Sequence, residues 1–96
     1  ALIFRFNEQK KLVALEVENS EIERLRAILP AKIIKSEIKT PKKIRLFFEF
    51  DNMPFLNQWL LQFGTSVKII KPEILISLQK KTLQAMINNL EQKEEA

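Results

Sequence analysis

The chain has 96 residues, of which 46% are hydrophobic and 29% charged, with a formal net charge of +4. That length holds one core and no second domain, and the composition is that of a folded globular chain rather than a disordered one. No apolar run approaches the roughly 20 residues that cross a bilayer, and no secretory signal is evident. The absence of cysteine excludes disulfides and thiolate metal sites and suits a cytoplasmic setting.

From the N-terminus, the chain opens on Ala1 rather than Met and reads as strand from Leu2, which predicts a domain cut from a longer polypeptide. "LIFRF" (2–6) and "KLVALEVE" (11–18) are rich in branched and aromatic residues, and Val13, Leu15 and Val17 alternate with Ala14 and Glu16 as on a half-covered sheet. In "NSEIERLRAIL" (19–29), Ser20 and Glu23 have the spacing of a capping box, and Ile22, Leu25 and Leu29 form a helical stripe. Pro30 stops that helix. "AKIIKSEIK" (31–39) is a short strand and "TPKK" (40–43) a turn. In the strand that follows, Ile44, Leu46, Phe48 and Phe50 form the core face, with Arg45, Phe47 and Glu49 opposite.

Asp51 or Asn52 is placed to cap a helix whose first turn accepts Pro54 and whose stripe is Leu56, Trp59, Leu60 and Phe63. Gly64, the only glycine, is expected as its C-cap, turning the chain into the strand "SVKII" (66–70). Lys71 and Pro72 open a last helix with Ile76, Leu83, Met86 and Leu90 in a stripe. The order is a leading strand, then β-α-β-β-α-β, then a final helix. This is an α+β, ferredoxin-like split β-α-β sandwich: a four-stranded antiparallel sheet with two helices on one face, an extra N-terminal strand and a C-terminal helix.

Such a sheet leaves one face open, onto which Lys35, Arg45, Phe47, Lys68 and Ile70 project. They are the candidate contacts for a ligand or partner, unless the last helix or a second copy covers Phe47. Apolar side chains in excess of what two helices can cover predict a homodimer through Phe47 on the sheet, or through Ile76, Leu83 and Leu90 on the final helix.

Catalysis is not expected without His, Cys or Tyr. Glu16, Glu18, Glu21 and Glu23 read as a solvated edge rather than a paired-carboxylate site. Neither a metal nor a cofactor is expected. Between Pro30 and Arg45 stand Lys32, Lys35, Lys39, Lys42, Lys43 and Arg45 against one acid, Glu37. This basic hairpin, 30–45, raises nucleic-acid binding as an alternative, and a free-standing small-molecule-binding domain is a third reading. The strand "IRLFFEF" lacks the aromatic and glycine spacing of an RNA-recognition sheet.

The stretch "LNQWLLQFGTSVKIIKPEIL" (56–75) resembles the C-terminal extension of bacterial WYL-type transcriptional regulators. There a helix ending in a Trp-Leu-Leu-x-Phe/Leu-Gly pattern leads to a Val-rich strand, a Pro and a Leu-bearing helix. The matching residues are Trp59, Leu60, Leu61, Phe63, Gly64, Val67, Pro72 and Leu75. The resemblance implies a non-catalytic regulatory, effector-sensing and dimer-forming domain. Its parent would bind DNA through an N-terminal winged helix and sense a small-molecule or nucleotide effector through a WYL domain. In this setting Trp59, Gly64 and Pro72 are scaffold: Trp59 anchors a helix to the sheet and Gly64 returns the chain to it.

Overall fold

A computed structural model describes residues 10–92. It is an α+β sandwich whose elements are β1 (Lys11–Glu18), α1 (Ile22–Ile28), β2 (Ile33–Thr40), β3 (Lys43–Phe50), α2 (Met53–Leu60), β4 (Val67–Lys71) and α3 (Glu73–Glu91). The strands form one sheet in the order β2-β3-β1-β4, every neighbouring pair antiparallel. This is the ferredoxin-like arrangement read from the sequence. The strand expected over 2–6 lies outside the described residues. No helix among them is long and apolar enough to cross a membrane.

Alternation on the two central strands sets the core. Register pairs Val13 with Phe48, Leu15 with Leu46 and Val17 with Ile44, and β4 adds Ile69 opposite Leu15 and Val67 opposite Val17. Ile22 and Leu25 of α1, Leu56 and Leu60 of α2, and Leu75 of α3 close over this face. The capping box expected at Ser20 and Glu23 does not form. Asn19–Glu21 make a 3₁₀ turn, and α1 starts without a side-chain cap. The Asn19 N–H donates instead to the Lys42 carbonyl (2.7 Å), so the β2–β3 hairpin dictates how the chain enters α1.

The second half follows the expected sequence of devices with two shifts. Asn52 caps α2, its Oδ1 accepting from the Phe55 N–H (3.0 Å), and Pro54 sits in the first turn. However, α2 ends at Leu60, and a 3₁₀ segment over Leu61–Ser66 carries the chain on to β4. Gly64 is therefore not the immediate cap. It makes the reversal inside that segment with φ 57° and ψ −127°, mirror-image extended backbone open almost solely to glycine. A Cβ there would meet no atom within 4 Å, so conformation, not space, demands the glycine.

The other shift concerns Trp59. Burial on α2 centres on Met53, Leu56, Asn57 and Leu60, while Trp59 lies half-buried at the core margin with its ring tilted on Phe63 (centroids 5.2 Å). The cause is α3. It packs along the Asn57 side of α2, where the Asn57 Nδ2 donates to the Thr82 Oγ1 (2.9 Å), so the buried stripe is rotated away from Trp59. Asn57 Oδ1 is buried without a hydrogen-bond partner among the described residues. Phe63 keeps its expected place in the core, and Arg24 of α1 lies over its ring at 4.6 Å.

Leu56→Ala is thus expected to cost about 2–5 kcal/mol and Trp59→Ala clearly less, in denaturant unfolding of the 96-residue chain. A Trp59 loss at or above the Leu56 loss would place the helix's anchor at Trp59 after all. Gly64→Ala should cost about 1–3 kcal/mol from backbone strain alone; an unchanged midpoint would show that the reversal is not needed.

Candidate functional site on the open sheet face

The face away from α1 and α2 is written by the same registers. Glu16 of β1 stands between Arg45 of β3 and Lys68 of β4, and Glu37 of β2 stands opposite Arg45. Lys68, Glu16, Arg45 and Glu37 thus form one row across all four strands with alternating charge. Opposite charges on adjacent strands attract at such spacing. The next row sets Phe47 between Ala14 and Lys35, and the Lys35 ammonium lies over the Phe47 ring at 5.6 Å.

Four of the five expected contact residues, Lys35, Arg45, Phe47 and Lys68, are brought together here. Ile70 is the exception. Lys71 pairs with Ala14 and Ile69 with Leu15, leaving Ile70 half-buried in a bulge, where alternation no longer decides its face. The final helix does not cover Phe47, because it packs against α2 and β4, leaving Phe47 half-buried on the open face. Ile76, expected at a dimer surface, packs instead against the core, whereas Leu83 and Leu90 are exposed.

Glu16 and Glu37 were not legible as members of this site. The reading of Glu16 as part of a solvated edge is corrected by strand order, since β1 is an interior strand. Glu16 accepts from Arg45 Nη2 at 3.1 Å and pairs with Lys43 at 3.7 Å. Glu37 pairs with Lys35 at 2.9 Å and with Lys39 at 3.6 Å. Glu16 and Glu37 thereby each engage two cations of the basic hairpin, so that four of its six, Lys35, Lys39, Lys43 and Arg45, are in ion pairs while a net positive charge remains, and Lys32 and Lys42 have no ion pair among the described residues. For Lys43 and Arg45 the partner, Glu16, is far from the hairpin in sequence.

The face therefore offers an aromatic ring flanked by cations that are already engaged. Arg45 Nε is buried and has no hydrogen-bond partner among the described residues, so one donor of the row is unspent. No group of three or more potential metal ligands gathers among those residues. A concavity of about 670 Å³ lies elsewhere, where Lys10, Ile33, Glu49 and Phe50 meet at one end of β2 and β3.

Both carboxyls are held below the usual carboxylate range. For Glu16 the hydrogen bond from Arg45 is the main cause, and the charges of Lys43, Arg45 and Lys68 add to it against partial desolvation. For Glu37 the main cause is the hydrogen bond from Lys35. A carboxyl with a depressed folded-state pKa contributes stability above its unfolded value and loses it as pH falls through the folded one. Thermal midpoints should therefore hold from neutral pH to about pH 5 and drop below the ordinary value of 4.5. Glu16→Gln should be less stable at neutral pH and lose less on acidification. Equal acid losses in both proteins would remove Glu16 from the account.

Comparison of the chain with family models finds no match, and comparison with curated proteins finds none either.

Proposed function

We propose that this chain serves as a non-catalytic, effector-sensing and oligomerising domain of a WYL-type transcriptional regulator in the bacterial cytoplasm. The observation that carries the reading is the unit from Asn52 to Glu91. In it a capped helix, a reversal at Gly64, an edge strand, Pro72 and a long helix are built from the residues that resemble the extension of those regulators. The unit supplies β4, which carries Lys68 on the face of the sheet away from α1 and α2. On that face Phe47, with Lys35, Arg45 and Lys68 around it, is suited to a flat, anionic or polar effector: the ring offers a stacking surface and the cations fix orientation. DNA binding then belongs to other domains of the parent.

The parent reading frame is the direct test. A winged helix and a WYL domain encoded upstream are expected, and a solitary short frame would overturn the assignment. The nucleic-acid alternative is disfavoured by the pairing of the hairpin's cations with Glu16 and Glu37. With only Lys32 and Lys42 of the hairpin outside ion pairs among the described residues, the hairpin should bind duplex DNA weakly and without sequence preference, losing roughly tenfold in affinity between about 50 and 200 mM salt. Sequence-specific binding that survives physiological salt, measured by fluorescence anisotropy, would favour the alternative.

A further inference from the structure

Beyond its contact with α2, α3 carries an apolar stripe. Leu83, Met86, Ile87 and Leu90 are 43, 49, 49 and 83% exposed, and their spacing of three, four and seven places them on one helical face. Leu75 and Thr82, which face the core and Asn57, lie roughly 80° around the helix from the centre of that stripe, with Met86 at its near margin. A contiguous stripe of this kind marks a contact surface.

The charges beside it indicate what fits. Lys80 and Glu91 are exposed and eleven residues apart, about three helical turns, so they lie on the same flank, one at each end of the stripe. Two parallel helices set one flank against the opposite flank of the neighbour, which here carries the uncharged Thr82 and Asn89. Antiparallel helices set like flanks together with the ends reversed. Lys80 then meets Glu91 of a second copy, and two-fold symmetry makes the pair twice. On the side away from the stripe, Gln84 donates to Asn88 (3.0 Å), giving the helix a polar back.

We propose that α3 pairs antiparallel with α3 of a second copy of this chain, about a two-fold axis passing between Met86 and Ile87. Leu83 then packs on Leu90 of the second copy. The inference rests on the oligomerising half of the reading above and names its surface. Because α3 packs against α2 and β4, the pairing leaves Phe47 and its cations free. Four such side chains bury on the order of 400 Å² per copy, against about 800 Å² per partner in a standard interface. The dimer is accordingly weak and concentration-dependent when this chain is alone.

Sedimentation equilibrium of the 96-residue chain from about 10 μM to 1 mM should show a monomer–dimer equilibrium suited to so small an interface. Leu90→Glu should weaken it at least tenfold with an unchanged melting curve, Leu90 being largely exposed. Lys80→Glu should weaken it, and adding Glu91→Lys to the same chain should restore it. As the chain has no cysteine, orientation is read by oxidation: Leu83→Cys mixed with Leu90→Cys should cross-link, and neither alone should. Self-cross-linking of Leu83→Cys at a comparable rate would overturn the antiparallel arrangement. A dimer unmoved by Leu90→Glu would overturn the helix pairing while leaving the oligomerising role standing, and a monomer at every concentration would overturn both.

Discussion

The structure depends on β1 lying in the middle of the sheet. Its hydrogen-bonded edges join β3 on one side to β4 on the other, so the two halves of the chain share a single sheet only through it. Val13, Leu15 and Val17 are fully buried on its core face, where each fixes the register of a partner on β3. A one-residue slip would exchange these side chains with Leu12, Ala14 and Glu16. Burying the Glu16 carboxylate in the core and exposing three aliphatic side chains makes that slip prohibitive.

The open face follows from the same constraint. Once β1 is in register, Glu16 must stand between Arg45 and Lys68, and a row of alternating charge crosses the sheet. Each pair is partly solvated and contributes modestly to stability. The larger effect is that most of the hairpin's cations are held in place by Glu16 and Glu37. A hairpin that is strongly basic in isolation becomes a face in which cations are engaged around one aromatic ring, which suits selective contact better than diffuse attraction to polyanions.

The helix layer is organised by a different contact. Asn57 and Thr82 tie α3 to α2, a directional bond between two helices that otherwise meet through aliphatic side chains. It rotates the buried stripe of α2 toward α3, leaves Trp59 at the margin, and sends the distal half of α3 beyond the sandwich with its apolar side chains uncovered. The surfaces proposed for sensing and for association thus lie on different layers of the domain, so occupation of one need not block the other.

The sequence by itself determined the order of strands and helices along the chain, the core face of β3, a cap at Asp51 or Asn52 and the need for a reversal at Gly64. These rest on local physics: side-chain alternation, helical spacing, a capping amide and a backbone conformation reserved for glycine. Four of the five open-face residues were legible for the same reason, since period-two alternation carries across a regular strand, and Ile70 escaped because a bulge breaks that period. Only the tertiary structure decided that Glu16 is interior and joined to Arg45, that Asn57 rather than Trp59 faces the neighbouring helix, that Ile76 is core, and that Ser20 caps nothing. Each of those outcomes depends on which distant segment lies alongside, and strand order and helix packing are properties of the folded chain that no local pattern encodes.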